Sequence, residues 1–462
     1  MTAVSPASES LAASRLKPRM LAAYGQIALP LAIADLPLVI YLTAFYADLG
    51  VGLQAMAWVL LIARLADFLI DPAIGMASDR SGAWSIGRRK GWVVLGVPVM
   101  MLGTYMLFFA VPGVSAGYML GWLVVFYLGW TMVQIPYGAW GAEISGDYHE
   151  RTRVTGWRTF FAFIGILIAT LAPVITGGEP GKPGGLTPVM NGLGMWVIIL
   201  LPLSALLIWR FVPDRQPRHA GAELSWLAGM KLAAKNGPFM RILIATTIGR
   251  IGAAINSTVI IWFFVFALGL GVSAGLPVLV YLLAAVFGVP VWVALGNRFS
   301  KHNALIVAVL SSLAAFAFLL IVPQGNVGLA CVIMLLAGLG GGAAATLGLS
   351  IAGDVIDLDE LRARRSRAGL LVAFWNMGSK FADAIGGFLA LMILSYFGFD
   401  AKSLSNTPDA IWGLTLTYIL VPWPFFLASV VLLWKFPITR ERQARIRRLV
   451  ERRAARATAA AE

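Results

Sequence analysis

Arg64, Asp67 and Asp71 recur at i, i+3 and i+7 within Ala63-Arg64-Leu65-Ala66-Asp67-Phe68-Leu69-Ile70-Asp71-Pro72. In a helix this spacing puts the three side chains on one face within two turns. Lys380 and Asp383 form a second pair at i, i+3 far along the chain. An apolar setting favours the neutral form of a carboxylic acid, and a nearby ammonium favours the ionised one. Such a group can exchange a proton or a sodium ion for its lysine partner. The chain has no P-loop, no His-rich cluster and no HExxH, and His149, His219 and His302 all lie near loops. ATP-driven transport and metal catalysis therefore find no support.

These charges must be positioned by apolar elements. Of 462 residues, 59% are hydrophobic and 13% charged, whereas an ordinary soluble domain has about 45–50% and about 25%. Cys331 has no partner cysteine, which excludes a disulfide scaffold. The net charge of +14 does not point to nucleic acid, because the cations lie between apolar runs rather than on one soluble face. Twelve stretches are long enough to span a bilayer: 21–48, 53–77, 92–112, 117–142, 154–177, 191–212, 240–269, 273–296, 303–323, 327–352, 368–396 and 410–435. Their length and continuity predict helices rather than barrel strands. The first is too long for a signal-peptide core and is expected to remain as a helix.

Cation placement gives the orientation. Of 36 Lys and Arg, Lys182 and Lys402 fall outside, while Arg64, Arg158, Arg250 and Lys380 fall within spans. The rest occupy the termini and every second loop, which predicts cytoplasmic N- and C-termini. Residues 213–239 form the longest basic linker and divide the chain into six helices on each side. The expected organisation is a cytoplasmic N-terminus (1–20), a six-helix half (21–212), a linker (213–239), a second six-helix half (240–435) and a basic tail (436–462). A weak echo between Gly75…Asp79-Arg80…Gly82 and Gly296-Asn297-Arg298…Lys301 suggests duplication. The layout is that of major-facilitator transporters.

A charge at mid-span is costly, so one that persists usually serves a pathway. Asp71 lies eight residues from Asp79, roughly 12 Å along a helix, and Asp67 is one turn deeper. Lys380 is thirteen residues beyond Arg367, roughly 20 Å into the span. Its partner is either Asp383 on its own helix or a carboxylate of the second helix. The cluster reads as a cation switch or as a static pair that fixes packing. Arg158, one turn inside the fifth span, either contacts a polar solute or snorkels to the headgroups. Asp35 sits between Pro30 and Pro37, which should break the first helix near a cavity. Arg250 is a candidate partner for Asp35. Trp130, Trp262 and Trp375 lie within spans, where they either pack or stack on a solute ring.

Several separated motifs carry a resemblance. They are Tyr24-Gly25 and Tyr46-Ala47-Asp48; the Arg64…Asp67…Asp71-Pro72…Gly75…Asp79-Arg80 series with Gly87-Arg88-Arg89-Lys90-Gly91-Trp92; Pro136-Tyr137…Glu143…Asp147…Glu150-Arg151…Arg158; Asp354…Asp357…Asp359-Glu360; and Lys380. Across nearly its whole length the chain resembles the glycoside–pentoside–hexuronide:cation symporters, a branch of the major facilitators typified by melibiose permease. The resemblance implies Asp67 and Asp71 as cation-coupling groups, with Thr131 as an oxygen ligand and Lys380 as their charge neighbour. It implies Arg158 as a solute contact. Ala32 and Gln134 stand where the melibiose carrier has sugar-binding acids, and Gly138 replaces a tryptophan, so galactoside specificity does not transfer.

The sequence thus predicts an all-α integral membrane protein with twelve transmembrane helices in the major facilitator fold. Its expected function is symport of a small polar solute, such as a sugar or glycoside, with a proton or sodium. The alternatives are a carrier of lysophospholipid or another amphiphile, and, disfavoured, a membrane enzyme. Asp35, Gln134, Arg158, Arg250 and Trp375 are the candidate solute contacts, and Arg64, Asp79, Arg80, Glu143, Arg151 and Asp383 the candidate gating groups. No cofactor is expected beyond the coupling ion, and sodium, if used, would sit at Asp67 and Asp71. The expected partners are solute, cation and bilayer, without nucleic acid. The chain is expected to be a monomer in the inner (plasma) membrane.

Overall fold

A computed structural model describes residues 16–81, 88–144, 148–179, 182–213, 234, 236–363, 368–403, 406–438, 441–443, 445 and 449. It is an all-helical integral membrane fold, with twelve helices among the described residues long and apolar enough to cross a bilayer. Large apolar side chains such as Leu69, Val174, Phe287 and Ile321 are more than two-thirds exposed. In water that would be unfavourable, whereas against acyl chains it costs nothing.

Proline chemistry shapes the first span. It runs from Pro18 to Ile40 and is divided into α1 (Pro18–Gly25) and α2 (Ala28–Ile40), with α3 (Leu42–Leu49) following beyond it. Pro30 has no N–H to offer the Gln26 carbonyl, and the first break falls at residues 26–27. Pro37 is kept inside α2, and the second break comes at Tyr41, one turn later. The sequence prediction of a broken first helix is met, with the interruptions displaced from Asp35 itself. The second span is one helix, α4 (Leu53–Arg80), followed by α5 (Arg88–Phe108), α6 (Ala116–Glu143), α7 (Tyr148–Thr176) and α8 (Thr187–Phe211). Beyond the linker come α9 (Gly237–Trp262), α10 (Gly275–Arg298), α11 (Lys301–Ala317), α12 (Val327–Ala363), α13 (Ala368–Tyr396), α14 (Pro408–Ile419) and α15 (Pro422–Leu433). Residues 214–233 of the linker and the tail beyond 449 lie outside the described residues.

The helices group into two compact units, residues 1–38, 69–176 and 187–220 in one, and 39–68, 177–186 and 221–462 in the other. In the first unit α5 packs on α6 and α1 on α7. Gly25 faces the Trp157 backbone, where a Cβ would lie 2.8 Å from the carbonyl carbon. That close approach fixes the height of the following residue, Arg158. In the second unit α9 lies along α13, and α10 along α12. Its apolar core gathers Phe239, Ile242, Trp292, Leu305, Leu347 and Phe374. α3 and the first part of α4 also belong to this unit: Thr43 donates to the Thr258 carbonyl (3.3 Å) and Trp58 meets Phe388 edge-on.

Two predictions arise from this packing. A Cβ on Gly342 would lie 1.9 Å from the Ala285 carbonyl oxygen, so α12 must move away from α10 to admit one. Gly342→Val should destabilise the purified protein by about 1–3 kcal/mol, the usual cost of overpacking. Gly353→Ala on the same helix meets nothing within 4 Å and should leave Tm unchanged; equal Tm values for the two variants would contradict this packing. Outside the spans, Asp48 accepts the Gly184 N–H and faces Lys402; burial pushes its carboxyl from the ordinary 3.8 up to about 6, while Lys402 and the Gly184 amide oppose the rise. The folded state therefore holds this proton more tightly, giving stability that is full below about pH 4 and lost as pH rises through about 6. Asp48→Asn should flatten the fall in Tm over that window, and an unchanged slope would exclude Asp48 as its source.

Candidate functional site

The second turn of charge on α4 is divided between the two units. In the second unit Asp67 is almost wholly buried, at 1% exposure. Lys380, from the middle of α13, places Nζ 2.7 Å from Asp67 Oδ2. Arg64, one turn back on α4, places NH1 3.8 Å from the same oxygen. The alternative partner for Lys380, Asp383 on its own helix, is not the one selected. α13 turns Lys380 onto Asp67 and leaves Asp383 for Arg250. Arg250 on α9 grips Asp383 with two parallel bonds, Nε to Oδ1 at 2.8 Å and NH2 to Oδ2 at 2.9 Å. Within the second unit the guanidinium fork of Arg250 thus goes to a carboxylate on the helix packed beside it.

In the first unit Thr131 donates to Asp71 Oδ1 at 2.9 Å. Thr131 is itself buried, so its hydroxyl is held where a second hard oxygen adjoins the carboxylate. Asp71 follows Asp67 by one helical turn on α4, which carries both acids along one stripe. Among the described residues no group of three or more His, Cys, Asp and Glu is arranged to hold a metal ion.

Arg158, half-buried, turns toward α6. Its guanidinium lies over the Tyr137 ring, 4.9 Å from the centroid. Tyr137 is fully buried and stacks at 4.5 Å on Tyr24, whose hydroxyl donates to the Tyr137 carbonyl at 2.8 Å. Glycine makes this possible, because a Cβ on Gly141 would collide with the Tyr24 hydroxyl. On the same helix, α6, the Gln134 amide oxygen is buried and has no hydrogen-bond partner among the described residues. At the N-terminal end of α7 a cavity of about 400 Å³ is lined by Arg153, Gly156, Trp157 and Phe160.

The remaining predicted groups fall out as follows. Trp375, partly buried, packs against the apolar core of the second unit and beside Gly348. Trp262 is buried and packs on Phe399, and Trp130 stacks with Phe126. Asp35 is exposed near the middle of α2. The side chains of Asp79, Arg80, Glu143 and Arg151 lie outside the described residues. Sequence reasoning missed the Tyr24–Tyr137 platform beneath Arg158, although both tyrosines stood in quoted motifs. It also missed the fork between Arg250 and Asp383, because nothing in a single chain reports which helices are neighbours.

Residues 23–440 match the family described as MFS/sugar transport protein. The chain belongs to that family. Among curated relatives, it is 22% identical to the sodium-dependent lysophosphatidylcholine symporter 1 of Homo sapiens, over 86% of this chain and 79% of that protein. It is 22% identical to the glucuronide carrier protein homolog of Escherichia coli, over 87% and 88%, and 24% identical to the isoprimeverose transporter of Lactiplantibacillus pentosus, over 85% and 83%. Among solved structures, the nucleoside transporter NupG superposes with a TM-score of 0.66 at 13% identity, covering 91% of this chain and 98% of that one. A bacterial homolog of the human lysosomal transporter Spinster gives 0.65 at 14% identity, with 95% and 98% covered. These structural likenesses establish the fold.

Removing one partner of a buried ion pair leaves an uncompensated charge and costs about 3–5 kcal/mol, while removing both costs far less. Lys380→Met should therefore lower the Tm of the detergent-solubilised protein sharply. The double variant Asp67→Asn/Lys380→Met should recover most of the loss. Additive losses in the double-variant cycle would mean that the two groups do not interact.

Proposed function

We propose that this family member is a secondary active symporter that couples a proton or sodium ion to transport of a small polar solute, most simply a sugar or glycoside. The buried Lys380–Asp67 ion pair is the observation that carries the reading. A carboxylate at that depth has two ways of being neutralised: by the lysine already beside it, or by a cation arriving from water. Exchange between them changes which groups hold α13 to α4, and so gives the cation a handle on conformation. Asp71, with the Thr131 hydroxyl beside it, is the second group on the cation route. Arg158 and the unpartnered Gln134 oxygen supply a donor and an acceptor suited to hydroxyls. Cation and solute then favour a common state, and their coupling is reciprocal.

The sugar reading is supported by relatives named as a glucuronide carrier homolog and an isoprimeverose transporter. A second reading, transport of an amphiphile, is favoured by one feature: the cavity at the N-terminal end of α7 is walled by Trp157 and Phe160 beside Arg153. The lysophosphatidylcholine symporters among the relatives fit that alternative. In both readings the protein is a carrier rather than an enzyme. It acts as a monomer, with both termini in the cytoplasm of a cell whose inner (plasma) membrane it spans.

Asp71→Asn should abolish gradient-driven accumulation in proteoliposomes while leaving the protein inserted and monodisperse. Loss of at least about tenfold in the accumulation ratio is expected, since Asp71 and Asp67 each hold a separate place on the cation route and neither carboxylate stands in for the other. Undiminished accumulation by this variant, under an imposed proton or sodium gradient, would overturn the coupling assignment.

A further inference from the structure

Arg250 stands thirteen residues into the span Gly237–Ala267, roughly 20 Å along the helix and so near mid-membrane. Its side chain is nonetheless 52% exposed, and that of Asp383 is 23% exposed. A guanidinium facing acyl chains at that depth is costly, so this face of the second unit must meet water. The surrounding residues agree. Thr246, Arg250, Ala253 and Ser257 share one stripe of α9, and Asn376, Lys380 and Asp383 share one stripe of α13. The apolar exposed residues Ile244 and Phe381 lie on other faces of the same two helices, where lipid would be.

The fork uses only part of Arg250. Nε and NH2 are committed to Asp383, whereas NH1 makes no hydrogen bond among the described residues. Asp383 therefore works as an anchor, holding the guanidinium plane fixed with its outer NH1/NH2 edge presented to the wet face. That edge matches the two oxygens of a carboxylate or a phosphate ester.

The geometry points to Arg250, oriented by Asp383, as a binding site for an anionic group of the transported solute. The inference rests on the solute-carrier reading and narrows its substrate class to solutes bearing a carboxylate or a phosphate ester. The two sources of that chemistry are a sugar acid and an anionic lysophospholipid.

Equilibrium binding to the full-length protein in nanodiscs separates the possibilities, using two charged and neutral pairs. Methyl β-D-glucuronide is compared with methyl β-D-glucoside, and lysophosphatidic acid with a monoacylglycerol of the same chain. We expect the charged member of one pair to bind at least about tenfold more tightly than its neutral counterpart. Arg250→Gln should erase that preference and Arg250→Lys should keep part of it. Asp383→Asn, which keeps the guanidinium but loosens its anchor, should weaken the preference without erasing it, and unchanged binding of the neutral member by Arg250→Gln shows that its loss is not a folding defect. Equal binding within both pairs, no binding of any of the four compounds, or an undiminished preference in Arg250→Gln would overturn the assignment. None of those results touches gradient-driven accumulation, so the site can fail while the symport reading stands.

Discussion

A carboxylate buried to 1% exposure is tolerated only while its charge is answered, and in this protein a lysine at 2.7 Å answers it. Asp67 and Lys380 come from helices more than three hundred residues apart in sequence. Each would be expensive alone in the membrane, and together they fix how α4 and α13 meet. The arrangement is stable yet conditional, because a proton or metal cation reaching Asp67 removes the reason for Lys380 to stay. A packing contact between apolar side chains has no such dependence on solution conditions. On the proposed symport reading, this conditional contact is what distinguishes a coupled carrier from a passive pore.

The rest of the second unit supports that pair. Gly378 and Gly386 let α13 approach α9, where added Cβ atoms would lie 2.6 Å from the Thr247 hydroxyl and 2.5 Å from the Ala254 side chain. This close approach brings Arg250 within two-bond reach of Asp383, which in turn is withdrawn from Lys380. The second fork therefore helps to direct the lysine to α4. The first unit uses the same device on a different group: Gly25 and Gly141 make room for Trp157 and Tyr24, and Arg158 settles on the Tyr137 ring as a result.

Much of the fold was legible because membranes impose simple rules. The twelve apolar runs coincide with the twelve spans to within a few residues at most ends. The i, i+3, i+7 spacing on α4 was enough to place Arg64, Asp67 and Asp71 on one stripe, and the family resemblance singled out Thr131. Partner choice was not legible. Lys380 had two acids within plausible reach, and only the approach of α13 to α9 decides between them. The fork from Arg250 to Asp383 was not legible either, because contact depends on azimuth around each helix as well as on depth. Trp375 had the composition of a solute contact, yet its side of α13 faces the apolar core. The proline breaks were foreseeable in kind, but the first lies a turn before Pro30, where the lost N–H leaves its carbonyl, rather than at the proline.

Infrared difference spectroscopy of the reconstituted protein tests the central interaction most directly. Spectra are recorded as sodium is added at fixed pH, and separately as pH is lowered without sodium. The coupling ion should perturb a carboxyl band that disappears in Asp67→Asn and shifts in Lys380→Arg, marking the exchange of ammonium for cation. A cation-induced spectrum identical in the wild type and both variants would mean that Asp67 and Lys380 are a fixed strut with no part in coupling.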